Sequence, residues 1–159
     1  MKLGTKARYA VMGVVDIALY SQDKPVPLSM VAHRQEISVP YLEQLFHKLK
    51  RCGILQSVRG ASGGYKLGRP SHQITMTDII TAVNEPLHAT RCLPGSSQGC
   101  MTQGSRCIVH HLWDQLGKHI QNYLDSVTVA DLQASRRAHA STFHDAPPLS
   151  PQGSHLGTA

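Results

Sequence analysis

Three of the four cysteines of this 159-residue chain fall in RCLPGSSQGCMTQGSRCIVHHLW, residues 91 to 113, together with His110 and His111. The spacing is C-x7-C-x6-C-x2-H, which makes Cys92, Cys100, Cys107 and His110 the candidate metal ligands. Three thiolates and one imidazole close a tetrahedral zinc site. The same donors suit a [2Fe–2S] cluster, in which a histidine replacing one cysteine loosens that edge and makes it more responsive to protons and oxidants. Spacing alone does not choose between the two. The plain alternative is three reduced thiols in a loop. His111 points about 100° away from His110 around a helix and is the weaker donor.

The redox setting favours a metal over a disulfide. The N-terminus MKLGTKARYAVMGVVDIALYSQD is interrupted by Asp16 and carries no small-residue cleavage site, so neither a secretory signal nor a membrane span is expected. A cytoplasmic chain with clustered cysteines more often ligates a metal or does redox chemistry than forms a structural disulfide. No serine–histidine–aspartate set or paired carboxylates stand out, and RGASGGYK lacks the residue order of a phosphate-binding loop. An enzyme is therefore not expected. Cys52 stands apart from the cluster and reads as a small packing residue.

The elements that must hold these donors read as mainly α with a small β-hairpin. A first helix runs from Thr5, as N-cap, to Tyr20, with Ala7, Ala10, Val11, Val14, Ile17 and Ala18 on one face. LSMVAHRQE makes a short second helix, and Ser38 caps a third in which Pro40 is tolerated in the first turn. Val39, Leu42, Leu45, Phe46 and Leu49 form the third helix's buried stripe, leaving Tyr41, Gln44, His47, Lys48 and Arg51 outward, with Gly53 as its stop. ILQSV and YKLG then form two strands around RGASGG. Three helices followed by a hairpin with a basic tip describe a winged helix-turn-helix, whose third helix enters the major groove while Arg59 reaches the backbone or minor groove. Charge agrees: residues 1 to 72 hold eleven Lys/Arg and four Asp/Glu, net +7, whereas residues 73 to 159 hold five and six, net −1.

Thr75 and Asp78 form a capping box that opens a fourth helix, TMTDIITAVNE. From Cys107 onward, Val109, Leu112, Trp113, Leu116, Ile120, Tyr123, Leu124 and Val127 recur at helical spacing. A stripe that long exceeds what a small domain covers by itself, so a helix–helix homodimer interface is expected, matching two DNA-reading units to a palindromic site on double-stranded DNA. TVAD at 128 to 131 is a second capping box. The chain divides into a DNA-binding unit at 1–85, a cysteine-rich loop at 86–108, a dimerisation helix with a short C-terminal helix at 109–135, and an aperiodic, disordered tail at 136–159.

KARYAV, VPYLEQLFHKLKRCGILQSVRGASGGYKLG, ATRC, and CIVHHLW followed by LDSVTVADL closely resemble the IscR family of bacterial winged-helix, iron–sulfur cluster regulators, over about residues 1 to 135. The C…C…C-x-x-H-x-L-W pattern is its specific part. The resemblance implies a homodimer that holds a [2Fe–2S] cluster through Cys92, Cys100, Cys107 and His110 and changes its DNA-site choice with cluster occupancy. It implies iron–sulfur cluster assembly genes as targets, repressed when clusters are plentiful, and cluster assembly proteins as donors. By positional match Tyr41, Glu43 and Gln44 lie in the reading helix and Arg59 in the wing, beside the outward cation Lys48. Glu43 can accept from cytosine N4 and is repelled by guanine acceptors.

Three features depart from that family. Its cysteines are commonly spaced five and five apart, whereas here the intervals are seven and six, and Pro40 and Ala61 replace the expected residues. A related branch senses nitric oxide with a [4Fe–4S] cluster held by three cysteines and an N-terminal acid; here that position is Arg8, which ranks this alternative below the first and above a zinc-stabilised regulator.

Overall fold

A computed structural model describes residues 4–22, 24–60, 62–85, 99–101 and 104–144. Helix α1, Thr5–Tyr20, buries Ala7, Ala10, Val14, Ile17 and Ala18 of the stripe its periodicity predicts, with Val11 only partly buried against them. Its N-cap is Gly4 rather than Thr5, with no side-chain cap. Helix α2, Leu28–Gln35, ends where Glu36 takes a left-handed conformation, and buried Ile37 anchors the turn into α3, Val39–Arg51. Ser38 does occupy the N-cap of α3, but its hydroxyl makes no capping bond.

Leu42, Leu45, Phe46 and Leu49 of α3 are buried, whereas Val39, expected among them, is 42% exposed. The reason is position: Val39 is the first residue of α3 and projects ahead of the core that the later turns cover. Cys52, expected to be a packing residue, is exposed. It follows the last turn of α3, where Gly53 at φ +69° reverses the chain in a conformation costly for other residues.

Strands β1, Leu55–Val58, and β2, Gly64–Leu67, pair antiparallel, with Leu55 opposite Leu67 and Val58 opposite Gly64. Val26, ahead of α2, extends the sheet by exchanging hydrogen bonds of 2.9 Å and 2.8 Å with Tyr65. A Cβ at Gly64 would meet the Val26 carbonyl oxygen at 2.4 Å, so only glycine permits this approach. Tyr65 also meets Phe46 edge to face at 5.0 Å, which sets the wing against α3.

Helix α4, Met76–Ala82, opens with the expected capping box: Asp78 N–H donates to Thr75 Oγ1, and Thr75 N–H donates to Asp78 Oδ2. It is shorter than its pattern, because Asn84 adopts φ 57° just beyond it. Helix α5, His110–Ser126, starts three residues after Cys107, so that cysteine precedes the helix rather than sharing its first turn. Helix α6, Val129–His144, runs past residue 135, where periodicity had placed the start of an aperiodic tail; residues 145–159 lie outside the described residues.

The junction between α5 and α6 is stitched to the DNA-binding unit. Met76 N–H donates to Val127 O at 3.0 Å, Val129 N–H donates to Ile74 O at 2.9 Å, and Gln133 reaches Ala18 O at 2.7 Å. The second capping box, Thr128 with Asp131, starts α6 at this point. Hydrogen bonds from the Thr128 hydroxyl and backbone N–H hold the Asp131 carboxyl below its ordinary pKa. A depressed carboxyl stabilises above its unfolded pKa and loses that contribution as pH falls through the folded value. Asp131→Asn is thus expected to remove one acid-sensitive component from the acid unfolding of helical circular dichroism, while leaving a neutral-pH helix.

Candidate metal centre and nucleic-acid interface

Three of the four candidate donors meet at the entrance to α5. The Sγ atoms of Cys100 and Cys107 and a ring nitrogen of His110 all lie within 4.8 Å of one another. Cys100 Sγ is 3.5 Å from His110 Nδ1 and accepts the backbone N–H of Cys107 at 3.1 Å. Local structure brings them there: His110 N–H donates to the Cys107 carbonyl at 3.0 Å, closing the turn that leads into the helix. Met101 and Ser105 close the loop beneath Cys100 with a 3.0 Å bond, and Gly104 turns at φ +76°. Two thiols and an imidazole at this separation suit a zinc ion or an iron–sulfur edge. Cys92, the fourth candidate, lies outside the described residues.

The DNA-side candidates divide by placement. Glu43 and Gln44 are exposed on α3, and Arg59 is exposed at the hairpin tip beside Gly60. Tyr41 is half-buried and packs edge to face on Tyr9 of α1 at 6.0 Å, so much of its ring serves the core. Lys48 is half-buried, and its ammonium donates to Val83 O at 3.3 Å, at the C-terminal end of α4. A cation there suits the negative end of the helix dipole. Burial, and then the charge of the Glu43 carboxylate, push the Tyr65 phenol up.

Two substitutions separate positioning from reading. Arg59→Ala is expected to weaken binding across sequences and reduce the slope of log affinity against log salt by about one. Gln44→Ala is expected to cost about 1–3 kcal/mol and relax preference at one base pair. Titrations of two duplexes at two salt concentrations check both.

A structural group escaped sequence reasoning altogether. Asp16 on α1 is 1% exposed and accepts bonds from Arg34, through Nε at 3.0 Å and through a terminal nitrogen, and from Gln35 Nε2 at 2.7 Å. Arg34 also lies over the Tyr20 ring at 4.2 Å, and its pKa is raised by the Asp16 bond. An acid inside an apolar helical stripe was the available signal.

Residues 3–135 match the family model Rrf2, described as iron-dependent transcriptional regulator. The HTH-type transcriptional regulator IscR of Vibrio campbellii is 47% identical over 133 residues, covering 83% of this chain and 77% of that protein. The regulator of the same name from Yersinia pseudotuberculosis is 47% identical over 132 residues, covering 83% and 79%. Among solved structures, T. potens IscR superposes with a TM-score of 0.71 at 33% identity, covering 87% of this chain and 90% of that one. CymR, the global cysteine regulator of B. subtilis, gives 0.71 at 30% identity, covering 85% and 98%.

Proposed function

Since the chain belongs to the Rrf2 family of iron-dependent transcriptional regulators, we propose that its cysteine–histidine group is the sensing end of a homodimeric iron–sulfur regulator. The relatives are transcriptional regulators, a non-enzymatic class, and this chain is a DNA-binding regulator with the winged helix-turn-helix fold. Among the described residues no helix is long and apolar enough to cross a membrane.

The observation that carries the proposal is the meeting of Cys100, Cys107 and His110 within 4.8 Å at the entrance to α5. With Cys92 as fourth ligand, these residues would hold a [2Fe–2S] cluster. Such a cluster supplies a centre whose presence depends on iron supply and oxidants. The chain's own part is transmission. Cys107 and His110 fix the start of α5, and the backbone bonds at Val127 and Val129 tie its far end to the start of α4. Ligands drawn together at one end therefore bias how the two reading units are held, shifting the relative affinities for two classes of site.

An apolar face of α5 supports the dimer. Leu112, Leu116 and Tyr123 are exposed at 59%, 37% and 67%, following Val109 at helical spacing. A second copy covers such a stripe by twofold symmetry and presents two reading helices to a palindromic operator. The targets in this reading are cluster assembly genes, repressed by the loaded form, with cluster assembly proteins as donors.

Cys107→Ala tests the ligand set. Bound iron is expected to fall to background while the thermal midpoint of the DNA-binding half stays within a degree or two of the parent's metal-free form. Unchanged iron content in this variant would overturn the assignment.

A further inference from the structure

The first turn of α3 carries an apolar edge that core packing does not use. Val39 is 42% exposed and stands outside the apolar cluster formed by Leu42, Leu45, Phe46 and Leu49. Pro40 beside it is exposed as well. At about 100° per residue, Glu43 sits ~40° round the helix from Val39 and ~60° from Pro40, one turn further along. The two apolar side chains therefore bracket the carboxylate on the exposed side of the helix. His47, Lys50 and Arg51 continue that exposed side toward the C-terminus.

In a helix-turn-helix the N-terminal residues of the reading helix meet base edges in the major groove. Of the groups presented there, only the thymine C5-methyl is apolar, while cytosine offers its N4 donor at the neighbouring ring position. Glu43 can accept from that donor. The Val39 and Pro40 side chains can neither donate nor accept, so a purine edge pressed against them would lose water without a replacement bond. A thymine methyl loses nothing there.

We propose that Val39 and Pro40 are specificity-determining residues that pack on thymine C5-methyl groups beside the base pair faced by Glu43. The reading edge of this protein is thus a pyrimidine reader in which the acid selects cytosine and its two apolar neighbours select thymine. Pro40 adds a preorganised backbone, so the contact costs little ordering.

The test uses the full-length protein and a duplex that it selects from a random pool. That duplex is resynthesised with deoxyuridine at one thymine at a time, which deletes the methyl and nothing else. At one or two thymines in each half-site, affinity is expected to fall about fourfold, the effect of exposing one methyl-sized apolar group. In Val39→Ala or Pro40→Ala, one of these losses is expected to vanish, because the methyl no longer has a partner. Val39 is exposed, so Val39→Ala should keep the parent's melting curve, and Val39→Thr, which keeps one methyl, should restore part of the effect. Deoxyuridine that is silent at every position, or equally costly in parent and variants, would overturn this assignment and leave α3 as the reading helix. Failure of the pool to yield any bound duplex would overturn both.

Discussion

Arg34→Ala is expected to destabilise the DNA-binding unit by about 3–5 kcal/mol, more than any other single truncation outside the apolar core. Asp16 is buried in α1, and Arg34 and Gln35 supply its three hydrogen bonds from α2. Removing Arg34 leaves a buried carboxylate with one amide donor, and the loss of an uncompensated charge's partner is costlier than the pair was worth. For a chain of this size that corresponds to a melting midpoint lower by roughly 10 °C. A double change, Asp16→Leu with Arg34→Met, should recover most of the loss, because apolar side chains of similar volume replace a buried ion pair at little cost. A midpoint that moves by less than 2 °C in Arg34→Ala would show that the pair carries no such load.

Leu112→Glu is expected to have the largest effect on operator binding although it touches no DNA. Leu112 lies in the first turn of α5, 59% exposed in the single chain, and twofold symmetry would place a carboxylate from each copy in the same interface. Two buried like charges oppose association, and a monomer engages only one half-site. Loss of the linked second contact reduces affinity for a palindrome by about 100-fold or more. Sedimentation should report a monomer, and binding to an isolated half-site should hardly change. A Leu112→Glu protein that remains dimeric would move the interface elsewhere on the molecule.

What sequence could reveal depended on how far apart the partners lie. Both capping boxes, Thr75 with Asp78 and Thr128 with Asp131, were legible because each is a contact across three residues. The helical stripe of α1 and the buried set Leu42, Leu45, Phe46 and Leu49 were legible for the same reason, since periodicity records which face meets the core. Periodicity does not say where along a helix the core begins, which is why Val39 was misplaced. The Asp16 group joins residues 18 and 19 positions apart on two helices, a distance over which local pattern carries no information.

The candidate site was readable in type and less so in geometry. Cys100, Cys107 and His110 lie together through a turn ahead of α5, whereas spacing had put Cys107 and His110 on the helix itself. Lys48 looked like a free cation on an outward face, yet its ammonium reaches Val83 O, whose proximity follows only from α4 packing beside α3. The helical extension of α6 past residue 135 rests on residues with no apolar periodicity, so nothing in the pattern marked it.

In the proposed function, the group at the entrance to α5 holds an iron–sulfur cluster. The visible absorption spectrum of anaerobically purified protein, with iron, sulfide and zinc measured on the same sample, tests it most directly. Coloured protein with iron and sulfide in equal amounts and no stoichiometric zinc is the expected result. Colourless protein carrying one zinc per chain would contradict it.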